Sequence, residues 1–563
     1  MSKLVNEVKS EIRTLLLEAV GRCVAEGELP VEPMSDFTIE APSDVAHGDF
    51  AANLALVSAK TFRLPPRKIA ELIFAQLALE ESHFERVEVA GPGFINFYLG
   101  EKYFGDILKD ILALGREYGR SDFGGGKRVL VEFVSANPTG PMHMGNARGG
   151  ALGDCLAAVL DAAGYSVERE FYINDAGNQI EKFALSLDIR YQQLFKGEEA
   201  VPLPEECYQG GDIKDHAAEY AKLHGDALLK VSDEERRRLL AEYALPLNIA
   251  KMRRDIAKYR IEYDTWFPES ILHGNGELEE TIAILKEKGL TYEKDGALYY
   301  KASEYGCEKD EVIIRSNGNP TYFAVDIAYH RNKFIRGFER CINIWGADHH
   351  GHVARMKGAM DAIGLDGSRL DIILMQLVKL LYNGEPIRMS KRTGKAIQLA
   401  DLLDEVPVDA ARFLFNMREA NSQMDFDLGL AIQQNSQNPV YYVQYAHARI
   451  CSIIKALAAE GITLRTVTDA ELALLTAPEE RALIRHLAAY TDEIIAAAKS
   501  YDAANITHYV VDLATLFHKF YNACRVKGED EALTQARFTL CMATKQVIFN
   551  VLEMLKVSAP ESM

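Results

Sequence analysis

Two short segments carry side chains that together could bind and activate a nucleotide. The first is Ser135-Ala-Asn-Pro-Thr-Gly-Pro-Met-His-Met-Gly-Asn146, and the second, far along the chain, is Arg388-Met-Ser-Lys-Arg392. The first follows a β-rich run, where the free N–H groups of a helix N-terminus would favour a phosphate. His143 can donate a hydrogen bond to developing phosphate charge, and Lys391 can neutralise a leaving pyrophosphate. The pair predicts attack of a carboxylate on the α-phosphate of ATP.

Further residues of these segments fit the same chemistry. Gly145 would let a purine or ribose lie against bare backbone. Arg388 could form a two-pronged contact with phosphate oxygens, and the Ser390 hydroxyl adds a donor. A cluster of Asp348 and His349, followed by two more histidines, could instead suggest a metal site. No matching acidic or cysteine ligand set is evident, so the sequence favours a nucleotide-facing loop at a strand end and no tightly bound metal.

The first motif lies inside a β-α-β pattern. Residues 129–134 form a β-rich run, a helix follows with its apolar face over residues 152–160, and Gly164 ends that helix. Residues 167–173 then predict a second strand, as in the first half of a doubly wound nucleotide-binding sheet. The α/β rhythm resumes at Cys341–Trp345, and the charged, helical stretch from about 180 to 300 predicts an insertion.

The rest of the chain predicts two flanking domains. Residues 1 to about 115 read as an α+β module, with two short strands around Gly91-Pro-Gly93, and the chain beyond about 405 reads as a helical bundle. We therefore predict a multidomain α/β plus α protein. Its expected parts are an N-terminal α+β domain (1–118), a Rossmann-type catalytic domain with the insertion (119–405) and a C-terminal helical bundle (406–563).

Composition and charge indicate the compartment of the protein and the partners it could bind. The 563 residues include 48% hydrophobic and 26% charged residues, as in an ordinary globular protein. We expect a cytoplasmic protein without membrane contact, because no apolar run approaches about twenty residues and no leader is evident. Eight scattered cysteines without a CxxC pair predict reduced thiols. A net charge of −19 does not exclude a nucleic-acid partner, because a charge sum says nothing about a local surface.

These residues resemble the class I aminoacyl-tRNA synthetases, and within them the arginyl-tRNA synthetases of the bacterial type. His143-Met-Gly-Asn146 is similar to the family's His-x-Gly-His signature, and Arg388-Met-Ser-Lys-Arg392 to its Lys-Met-Ser-Lys-Ser loop. Segments that narrow the resemblance to the arginine enzymes are Ser135-Ala-Asn-Pro-Thr-Gly140, Tyr172-Ile-Asn-Asp-Ala-Gly177, Tyr322-Phe-Ala-Val-Asp-Ile-Ala-Tyr329 and Asn438-Pro-Val-Tyr-Tyr-Val-Gln-Tyr-Ala-His-Ala-Arg449. The resemblance covers essentially the whole chain. Two departures are Asn146 in place of the second His and Arg388 in place of the first Lys.

The resemblance implies a function and a set of site residues. It implies attachment of L-arginine to its tRNA through an arginyl-adenylate, with ATP and Mg²⁺ as co-substrates, in a monomer that needs bound tRNA even for the first step. The implied catalytic residues are His143, Asn146, Lys391, Arg388 and Ser390. The implied ATP-binding residues are Pro138, Met142, Gly145, Gly346, Asp348, His349 and Met389. The implied arginine-binding residues are Ser135, Asn137, Glu269, Tyr322 and Asp326, since buried carboxylates suit a guanidinium.

The C-terminal bundle resembles an anticodon-binding domain. Tyr442, Tyr445 and Arg449 are spaced to share one helix face, and RNA loops are read by stacking on such aromatic groups. We predict that these three residues contact tRNA, although aromatic stripes are more often part of a core.

Two other readings stay open on the sequence. One is a class I synthetase for another amino acid, or a small nucleotidylyltransferase with the same signature; chain length and the Tyr322/Asp326 pair count against it. The other is a non-catalytic tRNA-binding paralogue, which would be expected to lose His143 or Lys391, and this chain keeps both.

Overall fold

A five-stranded parallel sheet is the centre of the protein. The computed structural model describes residues 3–40, 42, 47–80, 82–387 and 397–563. The strands of this sheet lie in the order β12 (Leu370–Met375), β11 (Arg340–Gly346), β5 (Arg128–Glu132), β6 (Ser166–Ile173) and β7 (Thr265–Pro268), and every neighbouring pair is parallel. Its first unit is formed by β5 (Arg128–Glu132), α5 (Met144–Ala162) and β6 (Ser166–Ile173). The predicted β-α-β unit is confirmed, with β5 ending two residues before the predicted limit.

Helix α5 is buried on nearly all sides, although its sequence predicts one apolar face. Small residues make this possible: Gly149, Gly150, Ala151 and Gly153 let the sheet and the C-terminal helices approach the same helix. The helix thereby runs from the sheet edge into the middle of the molecule.

The range predicted as an insertion contains both a helical excursion and a strand of the central sheet. Three helices follow β6, namely α6 (Asn178–Lys196), α7 (Gly211–His224) and α8 (Asp233–Lys258). The chain then returns to the sheet as β7 (Thr265–Pro268), which pairs with β6. We call α6–α8 the helical insertion; they share a small core of their own, built on Phe183, Leu187 and Tyr191. The four-residue strand is too short for its periodicity to be read from the sequence.

The second half of the sheet follows a small antiparallel sheet. The elements in order are α9 (Ser270–Gly274), α10 (Glu277–Glu287), β8 (Thr291–Lys294), β9 (Ala297–Tyr300), β10 (Glu311–Ile314), α11 (Tyr322–Ile335), β11 (Arg340–Gly346), α12 (His350–Ile363) and β12 (Leu370–Met375). Strands β10-β9-β8 form the small sheet. Helices α10, α11 and α12 pack with β7 and β11 around a second hydrophobic core.

The N-terminal part is an α+β unit, as predicted. It comprises α1 (Lys3–Ala25), β1 (Ile39–Glu40), β2 (Phe50–Ala52), α2 (Leu54–Phe62), α3 (Pro66–Ala75), β3 (Phe84–Ala90), β4 (Phe94–Leu99) and α4 (Glu101–Leu114). Its sheet has the order β1-β2-β4-β3, and the predicted hairpin around the Gly-Pro-Gly turn is formed by β3 and β4.

Beyond residue 405 the regular elements are helices, except for the strand β15 (Met424–Asp427). The hairpin strands β13 (Val378–Tyr382) and β14 (Glu385–Pro386) precede α13 (Leu399–Glu405), α14 (Val408–Phe415), β15 (Met424–Asp427) and α15 (Leu428–Ala431). The remaining helices are α16 (Pro439–Ala459), α17 (Asp469–Leu472), α18 (Pro478–Ala488), α19 (Tyr490–Ser500), α20 (Ala504–Ala523) and α21 (Glu531–Met554). Strand β15 pairs in parallel with β13. The sequence does not predict β15, because its partner strand lies far back in the chain.

One large hydrophobic core joins these parts. It contains buried residues of the N-terminal unit, of α5 and of the C-terminal helices. The eight cysteines are free thiols, and all except Cys307 are buried. Among the described residues, no helix has the length and apolar character needed to cross a membrane.

Candidate active site

A cleft of about 1130 Å³ opens beside the carboxyl ends of β5, β6 and β11. This is the edge at which open parallel sheets bind ligands. Ten of the residues predicted for the site line it: Ser135, Asn137, His143, Gly145, Asn146, Tyr322, Asp326, Gly346, Asp348 and His349. The fold therefore brings together residues that are more than two hundred positions apart in the sequence.

The turn between β5 and α5 (residues 133–143, the β5–α5 turn) is locally strained. Val134 and Ser135 have φ angles of 70° and 39°, which side-chain-bearing residues rarely adopt. The Ser135 hydroxyl offsets part of this cost, since it donates to Glu132 Oε1 at 2.9 Å and accepts from the Tyr172 N–H at 3.1 Å. Such strain persists where the surrounding structure enforces it, and it clusters at functional sites.

His143 is the N-cap of α5, and its hydrogen bonds define its tautomer. The Gly145 N–H donates to His143 Nδ1 at 3.1 Å, so a neutral imidazole carries its proton on Nε2. Desolvation by the surrounding protein lowers the pKa of His143. The ring is thus held as a neutral Nε2–H donor beside the positive end of the helix dipole.

Gly145 has a packing reason as well as the predicted ligand-facing one. A Cβ at this position would lie 2.9 Å from His143 Cε1 and 3.1 Å from Nδ1. Asn146 completes the cap, because its Oδ1 accepts the His143 N–H at 2.9 Å. The residue in place of the second signature histidine therefore holds the first one in position and leaves its amide nitrogen at the cleft.

Two acidic side chains form the negative part of the site. Asp326 on α11 accepts from His352 Nε2 at 3.0 Å, and burial raises its pKa. Glu269 accepts from the Tyr172 hydroxyl at 2.7 Å, and burial, with the nearby charge of Asp326, raises its pKa too. Glu269 is 3% exposed and lies behind Tyr172, which lines the cleft. Among the described residues, the basic side chains paired with these carboxylates are histidines: His352 at Asp326, and His273 with its Nε2 3.6 Å from Glu269 Oε1.

The position of Glu269 follows from its neighbours in the sheet. The Glu269 N–H donates to the Ile173 carbonyl at 2.9 Å, directly after the β6–β7 pairing ends. Asp175 accepts from the Ser270 N–H at 2.8 Å and from the Ser270 hydroxyl at 2.7 Å, which fixes the start of α9. The Tyr172–Gly177 segment thus orients the acid that directly follows β7.

A buried polar network supports the floor of the cleft. Glu132 accepts hydrogen bonds from Lys333 and, at 2.9 Å, from Asn343. His330 Nδ1 donates to the Asp326 backbone carbonyl at 2.8 Å, and its Nε2 accepts from Asn343 at 2.8 Å. Burial lowers the pKa of His330 strongly, so it stays neutral in this role. The network links the β5–α5 turn to the helix that carries Asp326.

Several predicted residues lie elsewhere. Pro138 and Met142 are buried and are not part of the cleft lining. Arg388, Met389, Ser390 and Lys391 lie outside the described residues. The chain on either side of them is anchored: the Ile387 N–H donates to the Leu380 carbonyl at 2.9 Å, and the Leu399 N–H to the Met142 carbonyl at 2.9 Å. The chain that resumes at residue 397 is therefore held beside the first motif.

The histidines after β11 form no metal centre among the described residues. His352 is paired with Asp326, and the nearest carboxylate to His349 is Asp348 at 3.7 Å. These residues stand at the start of α12, which faces the cleft.

Comparison with known proteins assigns the family. Three family models match: the arginyl tRNA synthetase N terminal domain over residues 6–99, the tRNA synthetases class I (R) catalytic domain over 107–452, and the DALR anticodon binding domain over 443–563. An arginine–tRNA ligase of Acetivibrio thermocellus is 54% identical over 564 residues, with 100% of each chain covered. The chain belongs to the arginyl-tRNA synthetases.

Other relatives agree with this membership. An arginine–tRNA ligase of Caldanaerobacter subterraneus subsp. tengcongensis is 55% identical, again over 100% of each chain. A solved structure described as a putative arginyl-tRNA synthetase from Campylobacter jejuni has a TM-score of 0.74 and 33% identity, covering 83% of this chain and 100% of that one. The protein is an enzyme, an aminoacyl-tRNA synthetase that attaches arginine to tRNA.

In this member of the arginyl-tRNA synthetases, helix α16 presents the predicted aromatic face. The Tyr442 and Tyr445 rings lie 5.0 Å and 5.9 Å from the His518 ring. The Arg449 guanidinium lies over the Tyr521 ring at 4.2 Å. Tyr445 is 40% exposed, whereas Tyr442 is half-buried and donates to Thr515. The face is therefore partly core and partly accessible surface, which we call the α16 face.

Sequence reasoning missed four contributors to the site of this synthetase. Tyr172 and His352 contact the two carboxylates, and Tyr208 and Asp212 reach the cleft from the helical insertion. Tyr172 is the first residue of the segment Tyr172–Gly177, which supports the family resemblance without indicating a role for the tyrosine. For the histidines that follow His349, His352 among them, the sequence suggests at most a metal site, and nothing local in the sequence shows that residues 208–212 return to the cleft.

Proposed function

We propose that the cleft binds L-arginine and MgATP side by side and joins them as arginyl-adenylate. A carboxylate oxygen of arginine attacks the α-phosphorus, the bond to the bridging oxygen breaks, and pyrophosphate leaves. A terminal ribose hydroxyl of tRNA then attacks the arginyl carbonyl, and AMP leaves. No covalent intermediate with the protein is needed, so catalysis rests on positioning and electrostatics.

One observation carries this proposal. The same cleft is bordered by one half-buried and one buried carboxylate, both with raised pKa values, and by a helix N-terminus that presents a neutral imidazole donor. The first environment suits a guanidinium, which supplies five donors and stays charged. The second suits a phosphate. An arginine carboxylate and an ATP α-phosphate would meet between them.

For arginine, we propose that Asp326 receives the guanidinium directly and that His352 keeps that carboxylate oriented. Glu269 adds a second negative charge behind Tyr172. Tyr322, at the start of α11, covers the side chain of the bound arginine. Asn137, which is exposed in the cleft, binds the backbone end of the amino acid. The Ser135 hydroxyl is already engaged, so we propose that it shapes the turn.

For ATP, we propose that His143 Nε2–H and the Asn146 amide donate to the phosphates. Gly346, Asp348 and His349 at the start of α12 would contact the nucleoside part. Lys391, with Arg388, Ser390 and Met389 beside it, would stabilise the leaving pyrophosphate. These four assignments rest on the sequence motif and on the anchored segments that flank it.

For tRNA, we propose that the α16 face contributes to anticodon binding and that bound tRNA is required for adenylate formation. An exposed ring beside a guanidinium offers a base a stacking surface.

We also propose that the chain is divided into domains at residues 1–118, 119–405 and 406–563, and that the protein is a monomer. Sedimentation with and without tRNA would test the oligomeric state.

The deciding experiment is arginine-dependent exchange of labelled pyrophosphate into ATP, with and without tRNA. We expect exchange only when arginine and tRNA are both present. Exchange without tRNA would remove the tRNA requirement and keep the adenylate. Absence of exchange under every condition, with tRNA binding intact, would contradict the proposed adenylate step in this cleft.

The variant Asp326→Asn tests the arginine site. We expect it to raise KM for arginine by about 100-fold or more, since a guanidinium loses a charged, desolvated partner, while KM for ATP changes by less than about threefold. The matched control is Asp310→Asn, a carboxylate bonded to Ser303 and Tyr292 near the small sheet. A similar rise in the KM values of both substrates would contradict the assignment of Asp326.

The variant Tyr445→Ala tests the α16 face. We expect weaker tRNA binding by about tenfold, because stacking of a base on an aromatic ring contributes about 1–3 kcal/mol. The control is Phe123→Ala, an aromatic residue of similar exposure (42%) that packs against Tyr165. Binding measured by filter retention should be unchanged in the control; equal losses would place no specific contact at Tyr445.

A further inference from the structure

Three hydrogen bonds from separate parts of the chain reach residues 135–142 of the β5–α5 turn, and a further one joins the Tyr263 hydroxyl to the Phe133 carbonyl at its start (2.9 Å). The first comes from β6 (Tyr172 N–H to Ser135 Oγ, 3.1 Å), and the second from the segment after residue 396 (Leu399 N–H to the Met142 carbonyl, 2.9 Å). The third comes from the helical insertion: Asn248 Nδ2 donates to the Pro138 carbonyl at 2.9 Å. The third is a side-chain contact from outside the central sheet.

The Asn248 amide is oriented by a second residue of the insertion. Asn248 lies on α8 and is 6% exposed. His216 on α7 lies with its Nε2 2.8 Å from Asn248 Oδ1, and since that oxygen can only accept, the imidazole is the donor. Two of the three insertion helices therefore converge on one carbonyl of the turn.

We propose that Asn248 is a positioning residue, through which the helical insertion sets the geometry of the turn that holds ATP. This inference rests on the proposed function of the turn. Four residues separate Pro138 from His143, and Pro141 among them has a fixed φ. Thr139, Gly140 and Pro141 line the cleft. Fixing the Pro138 carbonyl therefore restricts the path by which the chain reaches His143.

The geometry also explains why Pro138 is buried away from the cleft. Its carbonyl accepts the insertion's hydrogen bond, while the residues that follow it face the ligand. A displacement of α8 relative to the sheet would be transmitted to the turn. A misplacement of reacting groups on the order of 1 Å can lower a rate by about 100-fold.

The test is Asn248→Asp, which keeps the shape and the acceptor for His216 and removes the donor to Pro138. We expect the tRNA-dependent pyrophosphate exchange rate to fall by about 10- to 100-fold and KM for ATP to rise by about tenfold. Binding of arginine and of tRNA should change by less than about threefold. Asn248→Ala removes the donor without adding charge and should act in the same direction.

Gln193→Glu is the matched control. Gln193 is also a buried amide of the insertion; it donates to the Val201 carbonyl at 2.6 Å and accepts from Arg190 at 2.9 Å, within the insertion and not at the turn. We expect its kinetic constants to match the parent protein. Thermal unfolding of all three variants shows whether each is folded before its kinetics are compared.

The outcomes separate this inference from the proposed function. If the parent protein shows no arginine-dependent exchange, the proposed function fails. If the parent is active and both Asn248 variants have unchanged KM for ATP and exchange rate, the positioning role fails. Equal loss of ATP, arginine and tRNA binding, or the same loss in Gln193→Glu, would overturn it as well, because either would show only a general effect on the fold.

Discussion

Asp326 and Glu269 show how burial prepares a site for a cation. Each carboxylate is withdrawn from water, which raises its pKa; the charge of Asp326 raises the pKa of Glu269 further, and the charge of Glu132 raises that of Asp326. Their hydrogen bonds to His352 and Tyr172 stabilise the charged forms only in part. A bound guanidinium would complete the compensation, so arginine and ionisation of these groups should favour each other.

The first prediction at this scale is therefore a pH dependence of arginine binding. As pH falls toward the raised pKa values, the carboxyl groups become protonated earlier than ordinary ones, and the Kd for arginine should increase. Without arginine, the folded state binds these protons more tightly than the unfolded state, so this contribution to stability falls as pH rises through the same range. Bound arginine should oppose that loss.

Thermal shift measurements between about pH 5 and pH 8 would check the sign. The increase in Tm on adding arginine should be larger at the upper end of the range. The pKa of His143 is lowered by desolvation with and without arginine, so this residue should not alter the arginine-induced increase in Tm. In Asp326→Asn, most of the dependence should disappear; a dependence that stayed unchanged would assign it to other groups.

At the scale of elements, the start of α5 is the part on which catalysis is expected to depend most. The His143 side chain caps the helix, and the Asn146 side chain accepts the His143 backbone N–H. Gly145 leaves room for the imidazole ring. The cap and the proposed phosphate contact thus use different nitrogens of the same imidazole.

We predict that Gly145→Ala lowers kcat for pyrophosphate exchange by about 100-fold, because the new methyl group would push the imidazole out of line. Tm should change little, since alanine favours a helix. Gly21→Ala is the control, because a Cβ there meets no atom within 4 Å. Rates from quenched reactions would decide, and a Gly145→Ala rate within about threefold of the parent would contradict the stated position of His143.

The elements differ in how far the sequence predicts them. The β5–α5–β6 unit, the hairpin of β3 and β4 and the long C-terminal helices follow from periodicity and turn residues, which are local signals. Strands β7 and β15 have four residues each and are defined by distant partners, β6 and β13, so no local pattern reveals them.

The site is divided in the same way. The sequence predicts the position of His143, because its motif falls where a strand passes into a helix, whereas Asp326 is implied by the family resemblance. The resemblance to a family supplied Glu269, but its place behind Tyr172 depends on the pairing of β6 with β7. The anchoring of Pro138 by Asn248 depends on how the insertion folds back, which one sequence does not encode locally.

At the scale of the whole molecule, one buried arginine joins its parts. Arg412 on α14 bonds Asp154 on α5 at 2.5 Å, the Tyr259 carbonyl after α8 at 3.0 Å, and the Leu555 carbonyl after α21 at 2.7 Å. Asp154 also bonds Arg169 at 3.0 Å. The helix that begins at His143 is thereby tied to the end of the insertion and to the C-terminal bundle.

We predict that Arg412→Met destabilises the protein by about 3 kcal/mol, because breaking a buried pair leaves a desolvated charge and unpaired carbonyl groups. Urea unfolding followed by circular dichroism would measure this loss of stability. The loss should lie at the lower end of the range for broken buried pairs, because Arg169 still pairs with Asp154 in the variant. The control Arg238→Met removes an exposed arginine that pairs with Glu235 and Glu242, and it should leave the unfolding midpoint unchanged. Equal midpoints in the two variants would contradict the role of Arg412.

The strand β15 has a mechanical consequence. It belongs by sequence to the helical part, yet it lies in parallel register against β13, the strand that leads toward Lys391. Force applied to the C-terminal bundle would therefore act in shear on the hydrogen bonds between β13 and β15. The bundle would not separate as an independently tethered domain. Tension applied where tRNA binds the bundle would therefore reach β13, the strand that precedes the loop proposed to stabilise pyrophosphate.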